Sequence, residues 1–294
     1  MAGPACANSV RCPAIPGRRA PSRARSGRPA HRKAVLRAAF GRFRAYAHPV
    51  LRITDARTGE AAEIRRALTR VHAQVPGDDT SALRVLLVAD VLARALELGG
   101  SPVLLVADPP AALRRRADAL GVRPSETTAT RGGGRVLRVT GSGEPEHAGH
   151  GVGAVGADTV GADADITVDV APVRGTEAAA ASGGTTLRLA LLTQPRRTPV
   201  TLDATVLGEA ADTLDHWRTA VAAWATRPSR PVPEPVRQAL RAAWEDDLDV
   251  RAVLDVLRDV EHARDVPDGA RFETYAYADR LLGLELTRRI GASA

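Results

Sequence analysis

The stretch Ser81–Leu98, SALRVLLVADVLARALEL, is the strongest constraint on what this chain can fold into. Leu83, Leu86, Leu87, Val91, Leu92 and Leu96 recur with helical spacing, and Val85, Val88 and Ala89 widen the apolar face. A face that broad needs a sheet to lie on. Asp79 or Thr80 can cap the start, and Gly99-Gly100 is a natural stop. On either side the pattern is that of strands. Val50–Thr54 alternates and runs into the turn Asp55–Gly59, whereas residues 60–75 show no clear period. After Ser101-Pro102, the run VLLVA predicts a buried parallel strand. Asp108 then caps a helix that has Pro109 at its first position and ends at Gly121. Strand, helix, strand, helix over residues 50–121 predicts a parallel α/β layer.

RVLRV (135–139) and DITVDV (165–170) are the next two expected strands. Between them, 10 of the 30 residues from Gly132 to Gly161 are glycine, which predicts loops. From Thr185 the pattern changes. LRLALLT is followed by Thr201, a capping residue, and then by Leu207, Ala210, Leu214, Trp217, Val221 and Trp224 on one helical face. RPSRPVPEP (227–235) reads as a stiff linker. Val236, Leu240, Trp244 and Leu248 mark a second helix, and Asp249 caps a third that carries Val253, Leu254 and Leu257. Pro267-Asp268-Gly269 breaks the chain before a final helix, FETYAYADRLLGLELTRRI. The last third is thus expected to be a bundle of about four helices.

Charge divides the chain unevenly. Before Asp55 there are 12 of the 41 Lys and Arg residues and no acid, so the rest is slightly acidic. Residues 1–48 have the composition of a disordered basic tail and lack the apolar core of a secretory signal. Three readings fit them: a nucleic-acid-binding arm, an organelle presequence, or an upstream extension of the reading frame with the true start near Val50. No apolar run reaches the roughly 18 residues of a membrane span, and the expected location is the cytoplasm. Both cysteines, Cys6 and Cys12, lie in the tail, as does the single lysine, Lys33. The body therefore excludes thiolate catalysis, cysteine–zinc sites and a catalytic lysine.

Isolated motifs favour structure over chemistry. Gly151-Val152-Gly153-Ala154-Val155-Gly156 matches GxGxxG, but no strand precedes it and no helix follows. His147 and His150, with Glu144 and Glu146 nearby, could begin a metal site but sit in a glycine-rich loop. Arg114-Arg115-Arg116 point three ways on a helix. Glu245-Asp246-Asp247 and Asp249 read as solvated acids at a helix end. The three tryptophans, Trp217, Trp224 and Trp244, have the spacing of core anchors.

The order of segments is informative. HPVLRITDARTGE resembles the opening of cysteinyl-tRNA synthetases and of the related cysteine ligase of mycothiol biosynthesis. ALRVLLVADVLARALELGG resembles the helix after their HIGH signature, with Arg84, Asp90, Val91, Leu92 and Gly99 at matching positions. TTLRLALLTQPRRTPVTLDATVLGEAADTLDHWRTAVA is similar to the segment that follows the KMSKS loop. WEDDLDVRAVLDVLRDV is similar to the DDLDTPxAL signature of the helical domain. The resemblance touches about 150 of 294 residues and implies a Rossmann-like, class I synthetase-type parallel sheet over residues 49–195. It implies a helical bundle domain over 196–294.

The departures from the family shape the expected function. The HIGH position falls on Asp79-Thr80-Ser81-Ala82, without histidine and with an acid that would repel phosphate. The KMSKS lysines are absent, and the first zinc ligand falls near Arg70, so no zinc is expected. No catalytic residue is assigned. The expectation is a non-catalytic paralogue that keeps a binding scaffold for a nucleotide, an aminoacyl-adenylate-like molecule, a tRNA or a protein. ATP, if held, would rest on Gly77, Asp79, Thr80, Ser81 and Arg84. Two alternatives are an active ATP-dependent cysteine ligase, with Arg84, Arg135 or Arg138 replacing the lysines, and a nucleic-acid-binding protein acting through the basic arm.

Overall fold

The computed structural model describes residues 51–75, 77–127, 134–142, 165–175 and 184–291. The basic tail, the GxGxxG stretch and the His147/His150 pair lie outside these residues. Among the described residues the fold is mixed α/β, with a four-stranded parallel sheet and seven helices.

The chain opens with an antiparallel hairpin, β1 (Leu51–Thr54) and β2 (Ala61–Ile64). β3 (Thr69–Ala73) is the first strand of the main sheet. It falls in the stretch that showed no clear period. Its inward residues Thr69, Val71 and Ala73 are buried, but Arg70 and His72 occupy its other face. α1 (Thr80–Leu98) follows and is buried along most of its length, as its apolar breadth requires. It packs across β3, β4 (Val103–Val106), β5 (Arg135–Gly141) and β6 (Ile166–Val170). The sheet order is β4-β3-β5-β6, all parallel. β4 is therefore an edge strand, and Val103, Leu104 and Leu105 are only half-buried. The expectation of a buried strand there needs correcting. A continuous apolar run does not separate an edge from a centre.

α2 (Ala111–Ala119) begins two residues later than expected, after Pro110. Asp108 does not cap it and instead accepts from Arg114 at 3.4 Å. A two-stranded parallel pair, β7 (Val173–Arg174) and β8 (Val200–Thr201), flanks α3 (Gly184–Leu192). Thr201 is thus the last strand residue and not a helix cap. The next helix, α4 (Ala204–Trp224), is capped by Asp203, which accepts from the Val206 N–H at 2.8 Å.

Four helices complete the chain: α4, α5 (Glu234–Glu245), α6 (Val250–His262) and α7 (Asp268–Leu282). Asp249 caps α6 through the Ala252 N–H at 2.9 Å. α7 starts at Asp268 rather than after the Pro-Asp-Gly break. A Cβ on Gly269 would lie 2.0 Å from the Pro228 carbonyl oxygen, so glycine here permits close contact with the proline segment. The helix ends at Gly283 in the left-handed conformation, seven residues before Ile290. Trp217, Trp244 and Tyr275 are buried, with Trp217 and Trp224 edge-on to Tyr275. One hydrophobic cluster runs from Leu51 to Leu286 through the sheet layer and the helices.

The acidic run at 245–249 is only in part a solvated helix end: Asp246 is exposed, but its neighbours are engaged. Asp247 accepts from the Thr54 N–H at 2.7 Å and from Arg196 at 2.5 Å, and Asp246 pairs with Arg52 at 3.0 Å. Asp247 and Leu248 both adopt positive φ, and these ties hold that strained turn in place. Burial pushes the Glu245 carboxyl up, against the opposing charge of Arg241.

Candidate binding cleft at the sheet switch point

From β3 the chain moves outward to β4, then returns across the sheet to β5. The strand order therefore reverses between β3 and β5. In parallel sheets the loops diverge at such a point and leave a crevice beyond the carboxyl ends of the strands. A cleft of about 350 Å³ lies there, lined by Gly77, Asp79, Ser81, Ala82, Val85, Gly141, Ser142, Val170 and Pro172. Three of the five residues expected to form a site line it: Gly77, Asp79 and Ser81.

Local chemistry fixes each of them. Asp79 is the N-cap of α1, and its carboxylate accepts from the Ala82 N–H at 2.7 Å. A helix N-terminus attracts anions, but here the protein's own carboxylate meets it first. The Ser81 hydroxyl accepts from the Val173 N–H at 3.0 Å, which ties α1 to β7. Thr80 does not line the cleft. It is buried, and its hydroxyl accepts from Arg116 at 2.9 Å. Arg116 also donates to the Asp78 carbonyl at 2.7 Å and so braces the loop from behind. Sequence reasoning missed that role by treating the arginine triplet as a solvated face.

Arg84 is not part of the cleft surface. It is 1% exposed, and its guanidinium donates to the carbonyls of Ala171 and Thr198 at 2.8 Å, Pro195 at 3.0 Å and Gln194 at 3.4 Å. Burial pulls its pKa down to about 10, still leaving it charged at neutral pH. These four carbonyls belong to the segments after β6 and α3, so Arg84 holds the scaffold together and lends the cleft no donor. The other arginines considered as lysine replacements lie elsewhere. Arg135 donates to the Glu63 carbonyl at 2.9 Å, and Arg138 sits in β5 beside His72.

The far wall comes from β5 and β6. Gly141 ends β5 in register with Val170, and Ser142 donates through its hydroxyl to Asp169 at 3.4 Å. Their contribution could be found only from the strand order. Among the described residues, Asp79 is the one charged side chain lining the cleft, and no arginine joins it. The cleft thus offers a carboxylate acceptor, two hydroxyls and glycine backbone, which suit a ligand rich in hydroxyl or N–H donors.

Arg70, where the first zinc ligand was expected, is in the middle of β3 between Leu104 and Val136. Among the described residues no group of three His, Cys, Asp or Glu side chains could hold a metal ion. No helix among them is long and apolar enough to cross a membrane. The chain matches no protein-family model and no curated protein.

Proposed function

We propose that this protein is a non-catalytic binding protein on a class I synthetase-like scaffold, and that its switch-point cleft takes a nucleoside or an adenylate-like ligand through hydroxyl groups. The observation that carries the reading is the cleft itself, at the β3/β5 reversal with Asp79 as its sole charged lining residue among those described. A ribose diol donates two hydroxyls to one carboxylate, whereas a triphosphate brings negative charge toward Asp79 with no arginine in the lining to offset it. Adenylate formation needs donors aimed at the shifting charge, and loss of one such donor costs on the order of 10²–10³ in rate. Arg84, the strongest candidate for that role, is bound to main-chain carbonyls.

Two measurements on the full chain test this. Calorimetric titration should give tighter binding of adenosine than of ATP, and Asp79→Asn should weaken adenosine while relieving the discrimination against ATP. Amino-acid-dependent ATP–pyrophosphate exchange should stay at background with cysteine and every other amino acid. Robust exchange with cysteine would replace this reading with that of an active ligase.

A further inference from the structure

Arg84 and Arg196 line one small cavity of about 20 Å³, room for a single ligand the size of a water molecule or a halide ion. Arg84 is 1% exposed and Arg196 5%, and the two use their guanidinium groups in the same way. A guanidinium carries five N–H donors. In Arg84 those on the two terminal nitrogens reach the carbonyls of Ala171, Thr198, Gln194 and Pro195. In Arg196 they reach the carbonyl and carboxylate of Asp169, the Thr54 carbonyl and the Asp247 carboxylate. The fifth donor, on Nε, is buried in both and has no partner among the described residues.

The rest of the wall is aliphatic, with Val88 of α1, Leu191 of α3 and Val250 of α6 among its members, apart from the Gln194 amide. Among the described residues no carboxylate lines it. Asp169 and Asp247 answer the charge of Arg196, whereas each partner of Arg84 is a neutral carbonyl. A buried cation with only neutral partners is stabilised by an anion brought close to it. A water molecule could accept from both Nε groups, but its own protons would then need acceptors. Among the lining side chains only the Gln194 amide oxygen could supply one. A halide accepts from several donors and asks for none in return.

We propose that this cavity binds one small monovalent anion, chloride or another halide, held by the Nε groups of Arg84 and Arg196. The cavity shares no lining residue with the switch-point cleft, and the proposal does not depend on the nucleoside reading. An anion that binds only the folded chain raises its thermal midpoint. Ionic strength can be held constant with sodium gluconate, whose anion is too large for the cavity. Exchanging gluconate for chloride should then raise the midpoint of the full chain by about 3–5 °C for each tenfold excess over the dissociation constant. Val250→Ile, which adds one carbon at the wall, should fold and lose the chloride response. Arg84→Met should lose it too, with a lower midpoint in every salt. Crystals of the full chain soaked in sodium bromide should show anomalous scattering from one ion within hydrogen-bonding reach of both Nε atoms. Equal midpoints in chloride and gluconate, a response unchanged in both variants, or a cavity without bromide scattering would each overturn the proposal. Bromide scattering without a chloride response would mark an adventitious ion only and overturn it as well.

Discussion

Two buried arginines carry much of the internal polar structure, and they do so differently. Arg84 has no acidic partner; its two terminal nitrogens donate to main-chain carbonyls, while its buried Nε has no partner among the described residues. Arg188 is fully buried. It pairs with Asp90 at 2.8 Å and donates to the carbonyls of Leu120 and Leu282. Burial alone would raise the Asp90 carboxyl, but the charges of Arg188 and Arg94 and hydrogen bonds from Arg188 and Arg123 outweigh it and hold Asp90 below the usual range. Removing Arg188 leaves Asp90 paired with Arg94 at 2.9 Å and Arg123 at 3.0 Å, whereas removing Asp90 strands the fully buried Arg188. Asp90→Leu should therefore cost about 3–5 kcal/mol in denaturant unfolding, and Arg188→Met should cost less. His72 behaves in the opposite sense. Burial, then the charges of Arg70 and Arg138, lower its pKa. The unfolded chain consequently takes up that proton first. Stability should fall as pH drops below about 6.5 and stop falling once the folded-state value is passed. His72→Gln should remove this limb from a plot of unfolding free energy against pH. Neither arginine's role was legible in the sequence. A charged residue on an apolar helix suggests a ligand contact, and only the distant carbonyls brought against it show otherwise.

Periodicity predicted the helices well because their buried faces repeat locally. α1, α4 and α6 follow the expected leucine, valine and tryptophan spacings; Asp249 caps where sequence placed it, and of the two caps that sequence offered α1, Asp79 and Thr80, the fold uses Asp79. β3 was missed because a strand with Arg70 and His72 on its second face lacks the apolar signature of a central strand. The cap of α4 was placed two residues early because Thr201 and Asp203 are both good caps, and the pairing of β8 with β7 decides between them. Asp249→Ala should lower stability by about 1 kcal/mol, read as a shift in urea midpoint at constant slope. Gly283→Ala should cost more. Its φ of 61° already disfavours a side chain by about 1–2 kcal/mol, and a Cβ there would lie 2.9 Å from the Arg188 guanidinium. At the same helix end, Asp279 accepts from the Leu284 and Leu286 N–H groups at 2.7 and 2.9 Å, and burial pushes its carboxyl up despite those bonds.

Across the whole molecule, the order of strand–helix alternation followed by helices was readable from the change in pattern near Thr185. Three of the nine residues that line the cleft were readable too. Gly77, Asp79 and Ser81 were found because they open the dominant helix. Gly141, Ser142, Val170 and Pro172 were not, since placing them needs the β4-β3-β5-β6 order, which no local signal encodes. The described core runs from Leu51 to Leu286 and is continuous. Removing residues 1–48 should accordingly leave the thermal midpoint within about 5 °C of the full chain, a shift worth roughly 1 kcal/mol or more. Differential scanning calorimetry of the two proteins measures this directly.

The hydrogen bonds between β1 and the 246–247 turn have a kinetic consequence. Thr54 donates to the Asp247 side chain at 2.7 Å, the Asp247 N–H donates to the Arg52 carbonyl at 2.9 Å, and Arg196 bridges Asp247 to Asp169. Partners nearly 200 positions apart thus close the described chain into a loop, with its first strand latched to its last third. The opening strand cannot fray by itself, because freeing it releases the α5–α6 turn as well. Amide hydrogen exchange should show the Thr54 and Asp247 protons traded for deuterium at a common rate and slowed together. This would mark a single cooperative opening unit made from the first strand and the α5–α6 turn.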